Sequence, residues 1–216
     1  KAIRRQRQMC IRDSIFTAIL LFVSASCGHS NQNKAQQTES ASETKAIVYA
    51  ITDSCAGPFK IGEVIPDSLT GFTMTDTMVN TVVEGESYDI PTYIYKGEDG
   101  ESVKITPIYD TATGKFTDRI GEIIIDSNLF RTEKGIGIKF ALNEFMGAYP
   151  DSRIWFTHES DMYVIETPQL KNVQFLLDGK DYTGMDPRLS STELVMLDAA
   201  DFKKGAKIKF IRILGK

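Results

Sequence analysis

Beyond Lys45 the apolar residues recur mainly at every second position. That period lets an extended strand fill one face of a sheet, and it is incompatible with a helix. In VKITPIY, Val103, Ile105 and Tyr109 alternate with Lys104 and Thr106. NVQFLLDG sets Val173, Phe175 and Leu177 against Gln174 and Asp178, then turns at Asp178-Gly179. RIWFTH and MYVIE flank the polar turn ESD, and TYIYKGEDGESVKI reads as strand, turn, strand. IGEIII, from Ile120 to Ile125, is a more fully buried strand, and AKIKFIRI a late one. One segment breaks the rule. In FALNEFMGAYP, Leu142, Phe145, Met146 and Tyr149 fall at i, i+3, i+4 and i+7, and Pro150 stops the pattern, so a helix is expected. TELVMLDAADFKKG is a second helix candidate. The fold class implied is α+β, a mostly antiparallel β-sheet with one or two packed α-helices.

The front of the chain has a different composition. IFTAILLFVSAS, residues 15–26, is too short to span a membrane but has the length of a signal-peptide h-region, with small residues at its end. Cys27 follows, and residues 28–45 are a polar stretch read as a flexible tether. Signal, small residues, Cys and tether together resemble a bacterial lipoprotein, whose Cys carries diacylglycerol. Ala25, Ser26 and Cys27 match that motif, and Ser24 stands where Leu is usual. The resemblance implies lipidation at Cys27 and a membrane partner through the N-terminal lipid. Upstream, residues 4–14 (RRQRQMCIRDS) back-translate to a sequence resembling a transposase adapter used for sequencing libraries. Residues 1–14 are therefore read as an adapter artefact and set aside. The folded domain is expected over residues 46–216.

Residues 1–26 hold five basic side chains and one acidic, so the remaining chain has 20 basic against 28 acidic residues, a net charge of −8. An acidic surface of that kind excludes nucleic acid as a partner, because such binding rests on phosphate neutralisation. The C-terminal DFKKGAKIKFIRILGK is locally basic, which suits an edge strand protected by solvated lysines. With Cys10 in the artefact and Cys27 lipidated, Cys55 is left alone, so the domain has no internal disulfide and must rely on its core.

The order of pieces has a further likeness. GPFKIGEVIPDSL-GF is followed by a strand pair and by GEIIIDSNLFRTEKGIGIKFALNEFMGAYPD. A late VQFLLDG strand and a basic terminal strand complete the series. This is similar to the RpoE-regulated lipoproteins of enteric bacteria, envelope lipoproteins of undefined molecular role. The most specific part is strand Ile120 to Ile125, Asp126-Ser127, then Gly135-x-Gly137-Ile138 entering the helix. The chain departs at Lys139, where the family often has Gly. The resemblance implies an outer-membrane lipoprotein of a Gram-negative bacterium and brings no catalytic residues.

Chemistry-bearing residues are few. His158, beside Glu159 and Asp161, is the one candidate for a metal or acid–base site in the folded domain. It lacks a neighbouring His or Cys and reads better as a hairpin-turn residue. Cys55 in DSCAGPF has no basic neighbour to activate it as a nucleophile and reads as a small buried hydrophobe. GEDGES and DGKDYTGMD do not follow calcium-loop spacing, so no cofactor and no metal are expected. Trp155, Tyr163, Tyr93 and Tyr95 lie on expected strands. Trp155 shares its strand face with Arg153 and Thr157, so it either joins flanking tyrosines in a recognition patch or packs on the helix. The function expected is non-catalytic: binding of an envelope protein or glycan through a sheet face. The alternatives are a small-ligand or lipid carrier, or a hydrolase centred on His158 or Cys55.

Overall fold

The alternating segments do form strands. Three are short: β1 (Tyr49–Ile51), β2 (Cys55–Ala56) and β3 (Phe59–Lys60). Four longer ones follow, β4 (Thr73–Val83), β5 (Glu86–Lys96), β6 (Ser102–Asp110) and β7 (Lys115–Asp126), and then β8 (Phe130–Thr132). After the helix α1 (Leu142–Ala148) come β9 (Arg153–Thr157), β10 (Met162–Thr167), β11 (Leu170–Leu177), β12 (Leu194–Leu197) and β13 (Ile208–Leu214). These coordinates are a computed structural model and describe residues 48–83, 86–98, 100–157, 161–190 and 193–215. Residues 1–47, which include the expected signal, Cys27 and tether, lie outside the described residues, and so does His158. The described residues belong to one compact unit.

Nine strands make one antiparallel sheet in the order β12-β9-β10-β11-β13-β7-β6-β5-β4. A second sheet has the order β3-β2-β1-β8, in which β1 and β8 run parallel. The large sheet is organised by register. Leu197, Ile154, Ile165, Phe175, Ile211, Ile125, Val103, Tyr95 and Met74, one from each strand, are paired neighbour to neighbour across its width. The seven inner members of this row are at most 2% exposed. At about 25 cal/mol per Å² of apolar surface removed from water, such a row supplies much of the driving force for folding.

On this side the row is covered by the helix and the short strands. Phe145 of α1 packs its ring 4.6 Å from that of Phe175. Phe59 of β3 lies 4.7 Å from Tyr95, and Tyr49 of β1 stacks 5.0 Å from Phe130 of β8. The helix begins where the Ala141 N–H donates to the Glu144 carboxylate (2.8 Å), which does the work of a cap. It buries Leu142 and Phe145, with Tyr149 buried at its C-cap, at the spacing read from the sequence, and it ends before Pro150. Gly137 has no Cβ for a steric reason: one there would overlap the Phe130 carbonyl oxygen and the Arg131 guanidinium. Lys139, at φ 65°, holds the left-handed conformation that favours glycine.

Three expectations are corrected. The second helix candidate is instead β12 followed by a 3-10 turn at Ala199–Asp201. Val195 is 1% exposed while Leu194 and Met196 are 50% and 48% exposed, a period of two. The Asp198 N–H donates to the Asp201 carboxylate (2.9 Å), closing the turn after four residues. The basic C-terminal segment is no edge strand. β13 lies in the middle of the sheet, with Ile208, Ile211 and Ile213 at most 1% exposed. A register shift opposite Leu176/Leu177 leaves Lys209 as an extra residue, so Ile208 and Ile211 both face the core although three apart. Lys209 pairs with Asp178 (3.4 Å) and Arg212 with Glu122, which accounts for much of the segment's charge. Tyr109, read as the continuation of the Val103/Ile105 face, is 51% exposed, because the β6–β7 register shifts at Pro107.

Candidate functional site

The large sheet has a second face, turned away from α1. On that outer face the register builds a second row: Met196, Trp155, Val164, Leu176 and Phe210, directly paired across β12, β9, β10, β11 and β13. All five are apolar. Val164 and Leu176, at its centre, are 1% exposed, Trp155 and Phe210 are half-buried, and Met196 is 48% exposed. Leu194, Thr157 and Met162 form the next row, with Leu194 half exposed.

On the other side the ladder is bordered by polar residues. Arg153 pairs across from Glu166, and the Gln174 side-chain amide donates to the Glu166 carboxylate (2.9 Å). Gln174 pairs across from Arg212, which forms its ion pair with Glu122. The result is an apolar strip bounded by hydrogen-bonded and ion-paired polar groups. Met196 at the edge is the most open member of the strip, and the two central side chains contribute almost no accessible surface.

The structure separates the four aromatic residues singled out in the sequence. Trp155 sits in the outer ladder, on the face opposite the helix, so it does not pack on α1. Tyr163, one residue before Val164, points to the core side. Its ring lies 4.8 Å from Phe156, 5.1 Å from Tyr182 and 5.7 Å from Phe202, and burial raises its phenol pKa. Tyr95 is fully buried in the core row, and its hydroxyl donates to the Pro66 carbonyl. Burial pushes its pKa up to about 12. Tyr95 is therefore a structural residue with no surface to offer a ligand. Tyr93 is half-buried against the same core, three sheet positions away from the ladder strands. Only Trp155 of the four belongs to the outer strip. Met196, Leu194 and Phe210 were missed. The alternation of Leu194 and Met196 with Val195 and Leu197 was the available signal.

Chemistry elsewhere is sparse. Cys55 is buried in β2, its N–H donating to Thr52 Oγ1 (3.1 Å) and its Sγ 3.7 Å from Ser54 Oγ. Among the described residues no three of His, Cys, Asp or Glu cluster in a way that would hold a metal ion. No described helix is long and apolar enough to cross a membrane. A groove of about 660 Å³ runs between α1 and residues 199–204, lined by Leu142, Met146, Ala199, Phe202, Lys203 and Lys204.

No protein-family model matches the chain. None of the curated proteins matches it either. Among solved structures the chain is similar to the crystal structure of the uncharacterized protein yfeY from Escherichia coli. The two are 12% identical with a TM-score of 0.48, over 77% of this chain and 99% of that one.

Proposed function

We propose that this protein is a non-catalytic cell-envelope lipoprotein, tethered by a lipid on Cys27, whose domain binds an envelope protein through the outer face of its large sheet. The carrying observation is the ladder of Met196, Trp155, Val164, Leu176 and Phe210, which gives that face an apolar strip with a polar border. The lipoprotein-like signal ending at Cys27 and the polar tether support attachment to the outer membrane of a Gram-negative cell. The spaced pattern around Ile120 to Ile138 supports a place among the RpoE-regulated lipoproteins. A partner of this kind needs large, rigid, apolar anchors, and Trp is the side chain most often found in that role.

Two measurements test the proposal. The intact mass of the mature protein, made with its leader in a Gram-negative host, is expected to begin at Cys27 and carry acyl groups, and Cys27→Ala is expected to remain unlipidated. Cleavage without added lipid would refute the anchor. For the surface, a photo-crosslinking residue placed at Met196 in living cells should give a discrete adduct that Trp155→Ala abolishes. The same residue at Lys115, on the far hairpin, should give none. Equal adducts at both positions, or an adduct insensitive to Trp155→Ala, would remove the outer face from the function. Because the chain has a single Trp, the emission of Trp155 reports on this surface directly.

The apolar groove beside α1 supports a second reading, a carrier of a small amphiphile whose acidic head would meet Lys204. Native mass spectrometry showing a co-purified ligand, lost in Met146→Glu, would favour it over the protein-binding reading.

A further inference from the structure

The large sheet ends in two edges of different character. β12 is four residues long, whereas β4 runs for eleven and pairs with β5 over all of them without a register shift. The other side of β4 has no strand against it among the described residues. Protein edges of this length are normally protected by lysine, proline, a bulge or brevity. Thr73–Val83 (TMTDTMVNTVV) has no Lys, Arg, Pro or Gly and a single charge, Asp76. Met78 and Val79 on it are 60% and 43% exposed.

The centre of this strand is close to a palindrome: Thr75-Asp76-Thr77-Met78-Val79-Asn80-Thr81. Outward N–H and C=O groups occur at every second residue of a strand. Two antiparallel copies related by a two-fold axis must therefore place the axis on a residue facing itself. An axis at Met78 opposes Thr75 with Thr81, Asp76 with Asn80, and Thr77 with Val79. β-Branched side chains then meet on one face, and the methionines meet at the centre of the other. No carboxylate meets a carboxylate. The two Asp76 residues stand four strand positions apart, about 13 Å, beyond the screening length of about 8 Å at physiological ionic strength. The Asn80 amide is already ordered by Ser87 (2.7 Å) and Asp89 (2.8 Å) on β5, so that side of the ribbon presents a set surface.

We infer that β4 is a self-association edge: a second copy of this chain pairs antiparallel to it about an axis through Met78, joining two nine-stranded sheets into one. This surface lies at the opposite end of the sheet from the Trp155 ladder, so the inference stands independently of the proposed function.

The test uses the full chain with Cys10 and Cys27 replaced by serine, followed by analytical ultracentrifugation at micromolar concentration. The expected species has twice the chain mass. Met78→Lys, which opposes two ammonium groups at the axis, should return it to a single chain mass with unchanged circular dichroism. The register is tested by oxidation. Met78→Cys should form a chain-to-chain disulfide, since facing residues fall within disulfide reach, and Asn80→Cys should not. A monomeric parent chain, a dimer that survives Met78→Lys, or crosslinking through Asn80→Cys in preference to Met78→Cys would each overturn the inference.

Discussion

Replacing Phe175 by alanine should be among the most damaging single changes in this domain. Phe175 is fully buried in the core row, between Ile165 and Ile211, and its ring meets Phe145 at 4.6 Å and 60° and Tyr149 at 6.5 Å. It fixes the helix to the sheet. Phe→Ala at such a site removes the transfer free energy of the ring and leaves a cavity, typically about 3–5 kcal/mol together. Against a total stability of roughly 5–15 kcal/mol, that is a large share. With a urea slope of about 2 kcal/mol/M, the unfolding midpoint should fall by about 2 M. The aromatic pair adds a coupling of about 1 kcal/mol, which a cycle of Phe175→Ala, Phe145→Ala and the double variant isolates. The double variant should therefore lose less than the sum of the singles. Met196→Ala, in the outer ladder and half exposed, should cost under about 1 kcal/mol. Urea melts followed by far-UV circular dichroism read all four. A Phe175→Ala cost near that of Met196→Ala, or strict additivity with Phe145→Ala, would refute the reading of Phe175 as core and Met196 as surface.

Stability should decline at alkaline pH. The Tyr95 phenol, with its pKa at about 12 when folded and near 10 when unfolded, favours the fold while both states hold the proton. Between those values the unfolded chain alone ionises, so stability falls as pH rises from about 10 to 12. Tyr95→Phe should flatten that decline while costing about 1–3 kcal/mol at neutral pH, because the Pro66 carbonyl loses its donor. Lys139→Gly should raise stability by roughly 0.5–1 kcal/mol, since the left-handed backbone there costs a side-chain-bearing residue more than glycine loses in unfolded entropy. Thermal melts that move downward would refute it. Arg212→Ala strands the part-buried Glu122 carboxylate and should cost about 1–3 kcal/mol, recovered in part by adding Glu122→Gln.

Much of the strand content was legible because burial on one face imposes a period of two, as at Val103/Ile105 and Val173/Phe175. The helix was legible for the corresponding reason at a period near 3.6, down to its stop at Pro150. Strand position was not. A run of lysines reads like an edge, yet Lys209 and Arg212 each find a carboxylate from another element and β13 sits centrally. β12 was hidden because four residues are too few to separate a strand from the first turn of a helix. The outer ladder was half visible. The company Trp155 keeps with Arg153 and Thr157 pointed outward, but its partners Val164, Leu176 and Phe210 come from strands whose pairing only register reveals. Alternation says that Tyr93 and Tyr95 share a face, not that the face is the core.

The place of β13 also bears on how the molecule can be assembled. Four strands lie on one side of it and four on the other, and it follows all of them in the chain. Neither half can be zipped to its neighbour until the residues from Ile208 to Leu214 arrive, so a chain emerging from a ribosome or a translocation pore has both halves waiting on β13. Such long-range closure is slow and leaves strand edges exposed meanwhile. A chain ending before Ile208 should therefore be sought by chaperones and proteases as two unjoined half-sheets, whatever the quality of the core it has already made.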